Sequence, residues 1–423
     1  MPGRARDTFA LGAGSLLTGL LAYVFFALST RILGAAEAAP VSVLWTYWSF
    51  AAAALTFPLQ HWIAQSVAAR GGEGAVQRAL PRVALVVAAI AVAVGALAWL
   101  AREALFHRGD AWFPVLVGVV TLGSGFIGVV RGGLSARRRF ISVAWVLVME
   151  NASRCVAAVV LALANVKAAV GYGICLAAGS LAGVLWPSAV RFSSVQARPS
   201  TESPLRFLSG AAGGQLIGQA VLTGGPIVLA LSGGSAVQVT ALFAALALFR
   251  APYTLAIGLV SQLTGRLTTL VVQGRRATLR RVRLVVVAAS AAGVAAAAVI
   301  GALVGPQLVQ LVFGAGVRIG QLPAALVAVG SALALSNLVV AIMILAQDRS
   351  GAVARAWMVA SAAGAAVLVV STAEPLTRAC WAFVAAEVVA LAALLTEQVR
   401  GASAGGAGPP RPATTSSSSE PYG

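Results

Sequence analysis

The stretch ALFAALALFRAPYTLAIGL, residues 241–259, is almost entirely apolar but carries one arginine, two residues before a proline. Arg250 keeps its charge in any protein environment, so its surroundings need an explanation. Similar apolar runs of 18 or more residues recur along the chain, and a run of that length crosses a bilayer core as a helix. The stretch therefore predicts a membrane-spanning helix with a permanent charge inside it.

The composition is that of an integral membrane protein. Hydrophobic residues make up 59% of the chain and charged residues only 10%, with a mean hydropathy of +0.91, whereas a soluble domain carries about 25% charged residues. We therefore predict an all-α integral membrane protein of about twelve transmembrane helices. The predicted spans lie near residues 9–28, 40–67, 80–100, 113–134, 142–164, 168–190, 208–231, 236–265, 282–304, 322–346, 353–371 and 376–396.

The positions of the basic residues predict the orientation. Of the 30 basic residues, 22 fall in connections or tails on the side of the N terminus, six fall on the other side, and Arg154 and Arg250 fall within spans. Cytoplasmic loops carry the excess of Lys and Arg, so we predict a multi-pass plasma-membrane protein with both termini in the cytoplasm. The net charge of +18 is spread over many loops, and we expect no nucleic-acid partner.

The chain contains a weak internal repeat. Residues 33–45, LGAAEAAPVSVLW, align with 231–243, LSGGSAVQVTALF, and residues 81–87, PRVALVV, align with 280–286, RRVRLVV. Six helices per repeat give parallel repeats, which in transporters place the substrate site at their interface. We expect two six-helix bundles related by a parallel pseudo-two-fold axis. The predicted units are an N-terminal bundle at 1–190, a cytoplasmic linker at 191–207, a C-terminal bundle at 208–396 and a disordered cytoplasmic tail at 397–423.

Five stretches resemble the polysaccharide flippase branch of the multidrug/oligosaccharidyl-lipid/polysaccharide (MOP) exporter superfamily. The first carries an Arg-x-Leu-Gly-x-x-Glu pattern from Arg31 to Glu37, and the second is similar to the family's loop between helices four and five. The resemblance extends over nearly all of residues 5–396. The stretches are LSTRILGAAEAAPVSVLW (28–45), VRGGLSARRRF (130–140), ALFAALALFRAPYTL (241–255), LVQLVFGAGV (308–317) and LAQDR (345–349).

This resemblance implies a flippase that moves a polyprenyl-diphosphate-linked oligosaccharide, or a related envelope polysaccharide, by alternating access. The implied partners are the lipid-linked glycan, membrane lipids and enzymes of glycan synthesis or polymerisation. Lipid II flippases typically carry basic residues in the first helix, and drug exporters often carry an acidic residue in the first or seventh. Residues 9–30 contain neither, and residues 208–231 contain no acid. The alternatives are a cation-coupled small-molecule exporter and, in another class, a non-transporting membrane scaffold for glycan synthesis.

Arg250 is the first candidate substrate-binding residue. Fourteen residues separate it from the start of its span at Ala236, which is about 21 Å along a helix and near the midplane. A lipid-facing arginine there costs at least about 2.5–3.5 kcal/mol, so the side chain must face a cavity or the protein interior. Pro252 leaves the Leu248 carbonyl without its helical donor and predicts a hinge. A guanidinium forks onto phosphate oxygens, and the alternative is a structural bond to freed carbonyls.

Three further charges lie within predicted spans. Glu150 and Arg154 are four residues apart, so they share a helix face and can form a structural pair, or Glu150 can carry a proton that drives transport. Glu387 lies in the last span with no cation near it in sequence. It is a candidate proton carrier, or a partner for an arginine of another helix.

Neutral polar residues within spans complete the candidate substrate site. Gln215 and Gln219 are one turn apart and can bind sugar hydroxyls or hold helices together. Asn337 is similar, and His61 is expected to line the inner mouth of the cavity. No Gly-x-x-x-x-Gly-Lys phosphate-binding loop is present, and the chain has only two histidines. We therefore expect no enzyme activity, no catalytic residue, no metal and no cofactor.

Overall fold

The structure is a computed structural model. It describes residues 2–70, 73–194, 216–256, 276–345, 347 and 349–404, with the side chains of all of these except 2–11, 69, 70, 276–283, 286 and 401–404. Every regular element in the described ranges is helical. The prediction of an all-α protein is therefore confirmed.

The first half of the chain folds into eight helices. The apolar runs set their positions, because a span without water must satisfy its backbone groups internally. The helices are α1 (Pro2–Glu37), α2 (Ala39–Ala51), α3 (Phe57–Arg70), α4 (Gly74–Leu100), α5 (Arg102–Phe106), α6 (Trp112–Ala136), α7 (Phe140–Leu163) and α8 (Ala169–Ala178), with a π-helical turn at Ala52–Thr56 and 3-10 helices at Gly179–Leu185 and Pro187–Val190.

The second half contributes nine helices in the described ranges. Several are shorter than a full span because glycine or proline interrupts them. They are α9 (216–223), α10 (Gly225–Leu231), α11 (Ala236–Phe249), α12 (251–256), α13 (Arg276–Leu303), α14 (Gly305–Phe313), α15 (Gln321–Leu345), α16 (Ser350–Val370) and α17 (Pro375–Ala404).

Seven of the described helices are long and apolar enough to cross a membrane, and a bent pair, Val287–Leu303 with Gly305–Phe313, makes an eighth candidate. The bend between its two parts is 64°. The other predicted spans coincide with interrupted helices, as where α2 passes through the π-helical turn into α3. Each of the twelve predicted spans contains helical residues in the described part. The prediction of about twelve helices is thereby confirmed, with interruptions added.

The two halves turn in the same way at matching places. Gly34 has φ 77° at a kink within the last turn of α1, just before α2, and Gly233 has φ 83° between α10 and α11. This backbone region favours glycine because a Cβ would clash. The two glycines fall in the aligned segments of the sequence repeat, one residue out of register at the offset of 198. The backbone therefore supports the predicted relation between the halves.

The helix ends define two faces of the molecule. We call the side where α3 meets α4, α6 meets α7 and α15 meets α16 the Arg-rich face, and the other side the opposite face. Predicted inner connections lie on the Arg-rich face. One residue is misplaced by the sequence analysis: Arg131, counted there among the inner connections, lies inside α6, five residues before its end.

The bonds that join the halves lie on the opposite face or near the middle of the spans. Arg31 of α1 donates to the Val312 carbonyl at 3.0 Å and to the Leu311 carbonyl at the end of α14. Thr240 donates to the Ala35 carbonyl at 2.6 Å, and the Phe26 and Phe243 ring centroids are 4.3 Å apart. In the described ranges, the bonds at the Arg-rich face, such as Arg137 with Glu73, stay within one half. The described bonds between the halves therefore lie away from the Arg-rich face.

The predicted domain boundaries stay predictions. Residues 191–194 are without helix, and residues 195–207 of the predicted linker lie outside the described residues. At the other end, α17 continues through Ala404, eight residues past the predicted end of the last span. The remainder of the predicted tail, from residue 405, lies outside the described residues.

Candidate functional site

A small cleft lies where the two halves meet. It has a volume of about 140 Å³ and lies between α1 and α12. Its walls are mostly apolar. Tyr23 is one of the lining residues, and its hydroxyl donates to the Ala247 carbonyl of α11. The lining residues are Gly12, Ser15, Leu16, Gly19, Leu20, Tyr23, Ala251, Thr254 and Leu255.

Arg250 lies at the edge of this cleft, where α11 ends and α12 begins. The helix is interrupted at Arg250, with φ −86° and ψ 0°, two residues before Pro252. The predicted hinge therefore coincides with a real break. The side chain is partly exposed and lies within electrostatic range of Tyr23, Tyr253 and Glu387.

The guanidinium of Arg250 bonds to backbone carbonyls. Its Nε donates to the Leu246 carbonyl at 3.1 Å, and its Nη1 donates to the Leu222 carbonyl of α9 at 2.8 Å. In a continuous helix the Leu222 carbonyl would accept from residue 226, but Pro226 has no N–H. Arg250 thus replaces the missing donor at the break between α9 and α10, so one arginine ties together the two interrupted helices.

Glu387 and Asn337 form a buried polar pair in the C-terminal half. Both side chains are fully buried. Asn337 Nδ2 donates to Glu387 Oε2 at 2.7 Å and to the Glu387 carbonyl at 2.9 Å. Glu387 Oε1 and Asn337 Oδ1 have no hydrogen-bond partner among the described residues. Buried polar atoms without a partner call for an ion, a water or a proton that changes place.

The remaining candidates of the C-terminal half are less exposed to the cleft than the sequence suggested. Asn337 offers no surface to a substrate in this conformation, because it holds Glu387. Gln219 is partly buried, and its side-chain amide nitrogen, Nε2, donates to Thr223 Oγ1 at 3.2 Å. Gln215 lies outside the described residues.

Glu150 and Arg154 form a complete structural pair inside the N-terminal half. Arg154 Nη2 lies 2.6 Å from Glu150 Oε1, and the arginine side chain is 1% exposed. Its Nε donates to the Leu176 carbonyl at 3.0 Å, near the point where α8 passes into a 3-10 helix. The ring of Trp48 lies 4.3 Å from the guanidinium carbon. Gly179 makes the close approach possible, since a Cβ there would overlap Nε.

Arg131 is the charged residue that the sequence analysis missed. It is 7% exposed, and its Nε has no hydrogen-bond partner among the described residues. The guanidinium carbon lies 5.2 Å from the ring centroid of Phe57. His61, one turn along α3 from Phe57, is exposed and interacts electrostatically with Arg131. His61 is thus exposed next to a buried arginine, and its place at the inner mouth of the cavity stays a prediction.

The described residues offer no site for a metal. Within them, no three His, Cys, Asp or Glu side chains gather as a metal site would require. The polar groups described above are guanidinium groups, amides and two buried carboxyls, those of Glu150 and Glu387.

The fold is found in solved transporters. An inward-facing multidrug resistance transporter of the MATE family and the MOP superfamily matches with a TM-score of 0.69 at 14% identity, over 96% of this chain and 100% of its own. The lipid II flippase MurJ, in an inward closed conformation, matches with 0.64 at 12% identity, over 93% and 87%. An outward-facing MATE family transporter gives 0.60 at 16% identity, over 95% and 97%.

No protein-family model matches the sequence, and no curated protein matches it. The structural neighbours are membrane transporters or flippases, not enzymes. The chain therefore has the fold of the MOP superfamily transporters, and it is a multi-pass membrane protein.

Proposed function

We propose that this protein moves a polyprenyl-diphosphate-linked oligosaccharide, or a related envelope polysaccharide, across the plasma membrane by alternating access. The observation that carries the proposal is the position of Arg250. This arginine lies at the boundary of the two halves, at a helix break and at the edge of an apolar cleft between α1 and α12. A lipid-linked anion needs this combination, a cation for its head and an apolar gap for its chain.

The cleft suits the lipid part of such a substrate. Its lining is apolar apart from a few hydroxyls, so a polyprenyl chain can remain in the bilayer while the diphosphate reaches Arg250. The sugar groups would occupy the space between the halves, with Gln219 and Gln215 as donors and acceptors. The superfamily fold, which the lipid II flippase MurJ shares, supports transport of a large lipid-linked group.

The positions of the contacts and of the basic residues support loading from the Arg-rich face. The described contacts of Arg31, Thr240 and Phe26 between the halves lie away from that face. Without Arg131, the sequence assigns 21 basic residues to the inner connections and tails and six to the outer ones. The basic excess supports a cytoplasmic Arg-rich face and cytoplasmic termini.

Binding at Arg250 would change the joint between α9 and α10. A diphosphate forms charge-assisted bonds that are about twice as strong as those of a neutral carbonyl. A substrate that draws Nη1 away from Leu222 leaves this carbonyl without a donor, which weakens the present arrangement of the break. Substrate binding is thereby coupled to movement of one half against the other.

Glu387 is the proposed coupling group. Its buried carboxyl interacts electrostatically with Arg250 and has one oxygen without a partner among the described residues. Neutralising Arg250 with a diphosphate changes the field at Glu387, so uptake or release of a proton there can follow the substrate. The same carboxyl favours a second candidate, a cation-coupled exporter of small molecules, as does the match to MATE family transporters.

The test measures lipid-linked oligosaccharide in the two leaflets after deletion of the gene. We expect it to accumulate on the cytoplasmic leaflet and to be cleared by the wild-type protein. Arg250→Gln should fail to clear it. Arg250→Gln combined with Pro226→Ala should fail as well, although the alanine N–H restores a donor to the Leu222 carbonyl.

The matched control is Arg378→Gln. Arg378 donates to the Ser232 carbonyl at 3.2 Å, at the other end of α10. The substitution therefore removes an arginine that makes the same kind of contact away from the cleft. We expect this variant to clear the glycan. Absence of accumulation in the deletion strain, together with loss of dye efflux, would favour the small-molecule exporter. Normal clearance by the Arg250→Gln protein would show that Arg250 is structural. If deletions in the loops abolish function while Arg250→Gln does not, the scaffold is favoured.

A further inference from the structure

Arg131 is a buried cation without a bonding partner. It donates no hydrogen bond and forms no ion pair in the described part of the chain, and its side chain is 7% exposed. The other buried arginine of the same half, Arg154, bonds to Glu150, Asn151 and the Leu176 carbonyl. A charge inside a membrane protein is costly unless it is paired. Within the described residues, Arg131 therefore lacks the carboxylate, amide and carbonyl acceptors that Arg154 has.

The charge balance around Arg131 is positive. Glu150 interacts electrostatically with both arginines, but its Oε1 lies 2.6 Å from Arg154 and no oxygen of it lies within ion-pair distance of Arg131. Two guanidinium groups thus share one carboxylate, which is committed to one of them. Among the described residues, this part of the N-terminal half has one positive charge without a paired carboxylate.

The surroundings of Arg131 include an exposed face of α3. Phe57 and His61 lie on one exposed face of α3, and the Phe57 ring packs against the guanidinium at 5.2 Å. Phe57 is itself 38% exposed, so only one partly exposed ring separates this side of the guanidinium from the surface. His61, exposed on the same face of α3, offers ring nitrogens close to the arginine.

We infer that Arg131 and His61 form a second anion site in the N-terminal half, which takes a phosphate or diphosphate group before it reaches Arg250. The inference deepens the proposed function and rests on it for the identity of the substrate. A guanidinium that donates no bond within the described residues is suited to a phosphate, which supplies several acceptor oxygens and a negative charge.

The depth of the site gives it a different task from Arg250. Arg131 lies 19 residues after the start of α6, or about 28 Å along the helix, whereas Arg250 lies about 21 Å from the start of α11. Both helices start on the opposite face, so Arg131 is closer to the Arg-rich face. A diphosphate that arrives from that face would meet Arg131 first.

The experiment measures binding of inorganic pyrophosphate and of geranyl diphosphate to the purified full-length protein by titration calorimetry. His61→Glu places a carboxylate beside Arg131 at an exposed position, where it should supply the missing counter-charge and weaken binding at least tenfold. Gln65→Glu is the matched control, because Gln65 is exposed one turn further along the same face. It should change binding less than twofold. Arg131→Gln should reproduce the loss caused by His61→Glu.

The outcomes separate this site from the proposed function. Binding of geranyl diphosphate alone would identify a lipid headgroup, and equal binding of both probes would identify free phosphate chemistry; both support the site if His61→Glu abolishes them. Equal affinities of the His61→Glu and Gln65→Glu proteins would overturn it, as would absence of binding to the wild type. Binding that His61→Glu weakens, in a protein that moves no lipid-linked glycan, would overturn the proposed function alone.

Discussion

Arg154 in the N-terminal half and Arg250 in the C-terminal half make the same kind of contact. Each donates to a carbonyl of a neighbouring interrupted helix, Leu176 for Arg154 and Leu222 for Arg250. The difference lies in what else they touch. Arg154 is fully buried and pairs with Glu150 at 2.6 Å, whereas Arg250 is partly exposed and has no ion pair in the described part of the chain.

The comparison separates a structural arginine from a candidate binding arginine. A guanidinium that has a carboxylate, an amide and a carbonyl as partners gains little from a new anion. One that holds only carbonyls, at the edge of a cleft, can exchange a neutral acceptor for a charged one. An arginine that bonds to a carbonyl at a helix break can therefore be structural or can be a candidate for binding an anion, and its other contacts decide which.

The largest effect is expected for Arg154→Ala. Removal of this arginine leaves the Glu150 carboxylate buried without a cation, at a cost of about 3–5 kcal/mol. We expect little folded protein by size-exclusion chromatography and a large fall in the unfolding temperature. Arg154→Met combined with Glu150→Gln should be less destabilised than Arg154→Ala alone. Equal losses of stability in the two proteins would contradict the interpretation that Arg154 neutralises the buried Glu150 carboxylate.

Arg250→Gln is expected to lose transport with a smaller loss of stability. The unbonded Leu222 carbonyl costs about 1–3 kcal/mol, which thermal unfolding in detergent will measure. Pro226→Ala should recover most of this stability by supplying an N–H. The second substitution should not recover transport in the Arg250→Gln protein. Recovered transport would show that Arg250 acts only as the hydrogen-bond donor to the Leu222 carbonyl.

Glu387→Gln tests the C-terminal pair. The amide keeps the shape of the carboxyl and its bond with Asn337, so we expect a change in stability of about 1 kcal/mol or less. An amide cannot release a proton, so stimulation of transport by a proton gradient in vesicles should disappear. Stimulation that persists in the glutamine protein would move the coupling to another group.

The smallest effect concerns Glu73, outside the spans. The hydrogen bond from Arg137 holds the pKa of the Glu73 carboxyl below its ordinary value, against the effect of burial and with help from the Ser193 amide. Because this pKa is lower in the folded protein, the stabilisation is present at neutral pH and is lost as the pH falls through the lowered value.

We expect an effect of about 1 kcal/mol or less, since the pair is partly solvated. Amide hydrogen exchange of residues 187–194, corrected for intrinsic rates, should increase at acid pH in the wild type. Glu73→Gln should show the faster exchange at every pH. Glu103→Gln is the control, because Glu103 is exposed in its pair with Arg102. A wild-type protein without this pH dependence would contradict the assignment.

The helical content could be predicted because it follows from local composition. Apolar runs and the even spacing of basic loops are enough to predict about twelve helices, and Pro252 marks the break at Arg250. The partners of Arg154 and Arg250 could not be predicted. Their acceptors, at Leu176 and Leu222, are backbone carbonyls at breaks in other helices. Pro226 marks the free carbonyl of Leu222, but nothing in the sequence pairs either carbonyl with an arginine of another helix.

Arg131 was misplaced for a different reason. It lies six residues before Arg137, so a count of basic residues groups it with the loop. The segment GVVRG, residues 128–132, contains the signal that places it correctly: Gly128 and Gly132 pack α6 against α3 at short range, and two glycines four residues apart are typical of a helix interior in membranes. The environment of Arg131 still depends on where α3 and α7 lie, which local sequence does not contain.

The carbonyl acceptors at positions 176, 222, 311 and 312 have an evolutionary consequence. A carbonyl is present whichever side chain its residue carries, so substitutions at these positions leave the arginine contacts intact. The two sides of such a contact are free to diverge independently, with no compensating exchange between them. This gives one physical route to a fold shared at 14% identity, and it means that correlated substitutions would not reveal these arginine contacts, whether they lie within a half or, as with Arg31, between the halves.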